Sequence, residues 1–230
     1  MVAGVDGCRS GWVVATVPAG DEPQAVDVEV VPTLHDVARR IETGRLAAAA
    51  VDIPIGLAER GPRPCDVAAR RLLGPRRSSV FPAPARAVLD ATSYEEACAR
   101  SRAVSGRAIS KQLFNILPKI READAALAGR PAARGLLFEM SPELSFTVLA
   151  GAPMGANKRT AAGRAERIEA LHRGLPGIDV PALGTPGGAH ADDVLDALAG
   201  AWTARRVMAG THLALGGEPD QTGLPMMVVA

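Results

Sequence analysis

Within the first 52 residues, apolar runs of strand length come in an order that few folds accommodate, and two of them stop on an aspartate. Val2 to Asp6 is rich in β-branched residues and is closed by Gly7. Trp12 to Val17 follows directly after Gly11, so the spacing predicts two strands joined by a tight turn. Val26 to Val31 alternates valine with acids, the period-2 pattern of a half-buried strand. Thr33 stands where a helix cap belongs, before Leu34, Val37, Ala38 and Ile41 at helical spacing, and Ala47 to Val51 is an unbroken apolar strand that ends at Asp52. The predicted order is β-β-β-α-β, opening with an antiparallel meander.

From Ile53 to about Pro84 prolines recur, with a short helical piece between Cys65 and Leu73, which reads as an extended and partly irregular excursion. Helical patterns return over Tyr94 to Ser105 and Lys111 to Leu127, and Pro118 is expected to kink or split the second. A short strand over Leu136 to Phe138 leads to Glu139. Ser141-Pro142-Glu143 then opens another helix, with Ser as cap and Pro at the first helical position. Thr160 to Arg173 and Ala191 to Met208 are further helices, and Leu213 to Leu215 and Met226 to Val229 are short candidate strands. At 230 residues the chain is one domain, residues 1–230, with a Pro/Arg-rich helical insertion at about 54–134.

Composition excludes several classes. With 47% apolar and 22% charged residues the chain can build a sizeable core. Cys8, Cys65 and Cys98 are odd in number and far apart, and His35, His172, His190 and His212 are scattered, so neither a disulfide scaffold nor a zinc site is expected. No basic leader precedes an apolar stretch, and the longest apolar run, Leu46 to Val51, is too short to span a bilayer. The expectation is a reduced, cytoplasmic protein without membrane contact.

The net charge of +1 hides an asymmetry. Residues 60–134 hold 15 Arg or Lys against 6 Asp or Glu, an excess of +9 that leaves −8 elsewhere. Such a segment is either a basic flap that neutralises phosphates through Arg70, Arg71, Arg76, Arg77 and Arg86, or a solvated Arg-rich surface. Few aromatics lie in it, so contacts to a nucleic-acid backbone are expected to outweigh base stacking. Lys158 is one of only three lysines in an Arg-rich chain, and is either a phosphate contact or an ordinary surface residue. Ser78 and Ser79 read as loop hydrogen-bonding residues and Cys8 as a small turn residue.

The acids carry the chemistry. Asp6 and Asp52 each close an apolar strand, where ligands of α/β proteins bind, and Asp193 and Asp196 share one face of the late helix at i and i+3. Buried carboxylates repel one another and a divalent cation relieves them; with no supporting His or Cys, Mg²⁺ or Mn²⁺ is the expected ion. Two such ions can drive an in-line displacement at a phosphodiester. Asp192 competes with Asp193, as ligand or as helix cap. Glu139 and Glu143 can complete the metal shell, orient water or cap a helix.

The β-β-β-α-β start, with an Asp on the first strand, an acid ending the fourth and Asp193-Val194-Leu195-Asp196-Ala197-Leu198-Ala199 in a late helix, resembles the ribonuclease H-like superfamily, and in that last motif the RuvC-type resolvases. A closer resemblance is to a bacterial and archaeal family, domain of unknown function 429, described as predicted RNase H-like nucleases. It rests on Gly4-Val5-Asp6-Gly7-Cys8-Arg9-Ser10-Gly11-Trp12, Asp52-Ile53-Pro54-Ile55-Gly56-Leu57 and Arg76-Arg77-Ser78-Ser79-Val80-Phe81-Pro82-Ala83-Pro84. Further on it rests on Glu139-Met140-Ser141-Pro142-Glu143, on Lys158 with Gly163 and Arg167, and on Asp192-Asp193-Val194-Leu195-Asp196-Ala197. Ser141 departs from the family, which commonly has His there, so no histidine role transfers.

The resemblance implies a ribonuclease H-like fold: a mixed five-stranded sheet flanked by helices, with a helical basic insertion. It also implies a Mg²⁺- or Mn²⁺-dependent nuclease acting on nucleic acid, and a homodimer by analogy with the resolvases. Asp6, Asp52 and Asp193 would bind metal, Asp196 and Glu139 would assist, and Arg70, Arg76, Arg77, Arg86 and Lys158 would bind nucleic acid. Two alternatives stay open. One is a non-catalytic binding protein, for nucleic acid or another ligand, on the same fold. The other is an actin-like phosphotransferase, because Gly4-Val5-Asp6-Gly7 through Gly11 resembles a phosphate loop, although that architecture needs two copies of the fold.

Overall fold

The structure, a computed structural model, describes residues 1–20 and 26–230. The first strand, β1 (Val2–Cys8), pairs antiparallel with β2 (Gly11–Val17), and β2 pairs antiparallel with β3 (Asp27–Val31). Helix α1 (Leu34–Glu42) then returns the chain to β4 (Ala48–Val51), parallel to β1. The predicted β-β-β-α-β order is thus the order of the structure.

Beyond β4 come α2 (Pro64–Leu73), α3 (Tyr94–Ser105), α4 (Lys111–Ala128) and the short α5 (Pro131–Arg134). Next are β5 (Leu137–Met140), parallel to β4, and helices α6 (Pro142–Ala150), α7 (Ala161–Gly174) and α8 (Ala191–Ala209). The chain closes with the antiparallel pair β6 (Ala214–Pro219) and β7 (Pro225–Val229), of which β7 runs parallel to β5. The sheet therefore has seven strands in the order β3-β2-β1-β4-β5-β7-β6, not the expected five. The C-terminal hairpin joins the same sheet because β5 has a free edge and Val228 and Val229 can pair with Glu139 and Met140.

Strand alternation sorts side chains onto two faces. On one, Ala3, Val5, Trp12, Val14, Ala49, Val51 and Leu137 pack against α1 and the buried Leu113, Leu117 and Ile120 of α4. On the other, Val2, Val13, Ala15, Ala48, Ala50 and Met140 pack against α6, α7 and α8. Much of the basic excursion is thus a core layer. Pro118 neither ends nor splits α4, since that buried stripe runs through it and holds the helix across one missing backbone bond. Thr33 precedes α1, but its hydroxyl donates to Asp36 instead of capping the helix; Glu122 of α4 accepts from the Leu34 N–H.

Helix α8 lies directly on β1. A Cβ at Gly4 would stand 1.8 Å from the Ala197 carbonyl oxygen, and one at Gly200 would stand 2.9 Å from the Gly4 Cα. Ala197, Gly200, Ala201 and Ala204 fall at helical spacing and are all buried, so this seam of small residues lets helix and strand touch backbone to backbone. It fixes where the acids of α8 come to rest.

Candidate functional site

Asp6 and Asp52 occupy equivalent points on neighbouring parallel strands. Val5 pairs with Val51 and the Asp52 N–H donates to the Val5 carbonyl at 2.9 Å, so the two aspartates stand side by side one step beyond that pair. Both share parity with Gly4 and Ala50, which puts their side chains on the face covered by α8. Asp196, one turn into that helix and buried, completes the group. All three line a cavity of about 650 Å³ at the ends of the strands.

The electrostatics of the three are linked. Burial first, and then the charges of Asp52, Asp196 and Asp193, push the Asp6 carboxyl well above the usual carboxylate range. Burial and Asp196 push Asp52 up to about 7, against the lowering effect of Lys158. Asp196 is raised by burial and eased by Lys158, whose Nζ lies 2.6 Å from its Oδ2. Among the described residues, the Asp6 carboxylate accepts only the Gly7 N–H, at 2.8 Å, and none of them donates to Asp52.

Lys158 is delivered by a loop pinned from both sides. Glu166 accepts from the N–H groups of Gly155 and Ala156 at 2.7 and 2.9 Å, and Arg76 donates to the Met154 and Ala156 carbonyls. At Gly163 a Cβ would meet the Asn157 carbonyl oxygen at 2.0 Å, so only glycine lets the loop seat on α7.

Other expected residues are engaged with partners of their own. Asp193 turns back to the start of α8, where its Oδ2 accepts from the His190 N–H at 2.8 Å. Its place in the third residue of the helix favours this capping bond over the cavity. Glu139 shares parity with Leu137, on the opposite face from Asp6 and Asp52, and reaches the cavity as the partner of Arg63. Burial raises its carboxyl and Arg63 offsets this. Glu143 pairs with the buried Arg167 at 2.7 Å. Of the expected phosphate contacts, Arg86 is spent on Asp124 and Asp220, Arg70 on the Val80 carbonyl and Arg76 on the lysine loop; Arg77 is exposed.

Two residues that pattern reading passed over stand at the site, Lys119 in its wall and Arg63 behind the lining residues Glu139 and Asp66. Arg63, buried among carboxylates, is hidden in a proline-rich stretch whose composition reads as loop. Lys119, at the cavity wall, donates to the Gly11 carbonyl at 2.7 Å and lies 4.1 Å from the centre of the Trp12 ring. Its stem runs against Gly7, where a Cβ would be 2.9 Å from its Cδ.

No three Asp, Glu, His or Cys side chains among the described residues stand together in a group able to hold a metal ion. The pair Asp6 and Asp52 still fits one hard cation: Mg²⁺ is commonly bound through one or two carboxylates and completes its shell with water and phosphate. All three cysteines are buried and free, and no described helix is long and apolar enough to cross a membrane.

No curated protein and no solved structure matches the chain. One family model, described as Protein of unknown function (DUF429), matches residues 4–221 and so takes in Asp6, Asp52, Lys158 and Asp196. The chain belongs to this family.

Proposed function

We propose that this protein is a Mg²⁺- or Mn²⁺-dependent hydrolase of nucleic-acid phosphodiesters on a ribonuclease H-like fold. The observation that carries the reading is the trio Asp6, Asp52 and Asp196, brought from two strands and a helix into one cavity where Asp52 and Asp196 raise the proton affinity of Asp6, and Asp196 that of Asp52. Such repulsion costs stability unless a cation answers it, and strongly shifted groups in a cleft mark functional sites. The three antiparallel strands, helix and parallel fourth strand support the fold assignment. A single seven-stranded sheet weighs against the phosphotransferase, which needs two copies of its fold.

A bound divalent ion supplies Lewis-acid polarisation of a phosphoryl oxygen and a more acidic water. Asp6 and Asp52 would hold it. Lys158 faces the same space and can meet a phosphate oxygen, and the exposed Arg159 of the lining, with the exposed Arg77 between the lining residues Arg76 and Ser78, can meet neighbouring phosphates. Glu143 and Arg167 close the cavity wall as a paired acid and base.

The test is cleavage of labelled single-stranded, duplex and branched DNA and of RNA–DNA hybrid, with Mn²⁺ or EDTA. Cleavage that needs the cation and falls at least about 100-fold in Asp6→Asn and Asp52→Asn supports the reading. If wild type and Asp6→Asn behave alike on every substrate, it fails. Salt-sensitive binding without cleavage would favour the binding protein instead.

A further inference from the structure

We infer that Lys158 fills the second cation position of the acidic cavity, so that the chain takes up one divalent ion and not two. The inference rests on the proposed function in one respect, that a divalent ion binds at Asp6 and Asp52.

Three observations carry it. First, the Lys158 ammonium holds Asp196 at 2.6 Å, a charge-assisted contact with the carboxylate that would otherwise join the other two. The described acids include no three-ligand group for metal, and with Asp196 engaged by Lys158 the pair Asp6 and Asp52 is left. Second, the lysine is held in place. Glu166 and Arg76 fix the backbone of residues 154–156, the Thr160 hydroxyl donates to the Asn157 carbonyl at 2.8 Å, and Gly163 lets that carbonyl press onto α7. A surface lysine needs no such support. Third, Lys158 lines the same cavity as Asp6, Asp52 and Asp196, so that its ammonium shares their space. One ammonium and one divalent ion match the charge of the three carboxylates Asp6, Asp52 and Asp196.

In a two-ion site the ions flank the reacting phosphate and stabilise both the attacking and the leaving oxygen. Here the ammonium would take one of those places, as a fixed charge with three rotatable donors. Lys158 is thus a positioning residue for Asp196 and a candidate phosphate contact.

The experiment is calorimetric titration of Mn²⁺ into the full chain, with free Mn²⁺ followed by electron paramagnetic resonance. Wild type is expected to bind one ion, Lys158→Met two, and Lys158→Arg one. Adding Asp196→Asn to Lys158→Met should return the count to one, and thermal melts of each variant establish that it is folded. Two ions in wild type would overturn the inference while leaving the metal-dependent reading intact, and so would a single ion in folded Lys158→Met. No Mn²⁺ uptake by any of these proteins would overturn both.

Discussion

Arg63 grips both carboxylate oxygens of Glu139: its Nη1 donates to Oε2 at 2.7 Å and its Nη2 to Oε1 at 2.6 Å. The same guanidinium donates through Nε and Nη2 to Asp66 at 3.2 and 2.6 Å, and the Ile55 N–H donates to Glu139 at 2.7 Å. Arg63 is 1% exposed, and the planar fork of its side chain matches two carboxylates at once, which the point charge of a lysine would not. This clamp ties the loop after β4 to the end of β5. It gives Glu139 a structural task beside the cavity.

Breaking the clamp by removing one partner should be costly, because an uncompensated charge stays buried. Arg63→Met is expected to lose about 3–5 kcal/mol in urea unfolding. Glu139→Gln keeps the shape and part of the hydrogen bonding, so it should lose less, and its Mn²⁺ affinity should stay within about twofold of wild type, which calorimetry checks. A Glu139→Gln protein that folds but no longer takes up Mn²⁺ would return Glu139 to the metal.

Asp52 makes stability depend on pH in an unusual direction for a carboxylate. Its folded pKa of about 7 lies above the ordinary 3.8, so between these values the folded state binds more protons than the unfolded one. The cost of ionising it is absent below pH 3.8, grows as the pH rises and is complete above 7. Asp52→Asn should therefore be more stable than wild type above pH 7, by up to a few kcal/mol, with the difference shrinking towards pH 4. Thermal melts across that range measure it. Mn²⁺ at pH 7.5 should raise the wild-type midpoint and leave Asp52→Asn nearly unmoved.

Two arginines of the basic segment should separate cleanly. Arg86 satisfies Asp220, whose carboxylate is buried, so Arg86→Ala is expected to destabilise the fold by about 3–5 kcal/mol. Arg77 is exposed, and Arg77→Ala should change stability by less than about 0.5 kcal/mol. On nucleic acid, Arg77→Ala should lower affinity across all sequences and reduce the slope of log affinity against log salt by about 1. An unchanged slope would remove Arg77 from the interface.

The contact of α8 with β1 leaves no room for a methyl group. Gly4→Ala would drive a Cβ into the Ala197 carbonyl, and since backbone cannot yield as a side-chain tip does, the helix must shift. The expected result is a loss of at least about 3 kcal/mol and, in the protein that still folds, weakened Mn²⁺ binding, because the same contact seats β1 and the Asp6 it carries. Gly20→Ala, at a position where a Cβ meets nothing within 4 Å, is the control and should leave both unchanged.

Local pattern was enough for the early strands and the long helices. Alternation in Val26 to Val31, the glycines around Asp6 and the unbroken apolar run before Asp52 reported β-β-β-α-β, because strand and helix periodicity are short-range properties of the chain. The same pattern brought Asp6, Asp52 and Asp196 forward as candidates. Which of the paired acids turns into the cavity was not a local matter. Asp193 and Asp196 share a helical face, and only the position of Asp193 at the helix start, with the free His190 N–H beside it, turns it into a cap. Glu139 follows an apolar strand run as Asp6 and Asp52 do, but its register with Val51 puts it on the other face and in reach of Arg63.

The basic excess of residues 60–134 is written in the sequence; its use is not. Counting charges cannot tell an arginine that meets solvent from one that meets Asp220 or Glu139, because that depends on acids 76 and 134 positions away. The sequence alone determined the strand order at the start, the acid that ends β4 and the charge asymmetry, all properties carried by neighbouring residues; β1 runs on past Asp6 to Cys8. The tertiary structure decided that the C-terminal strand pair joins the same sheet, that Arg63 is buried and that Lys158 meets Asp196, since each is a contact between segments that only the packed sheet and its helices bring together.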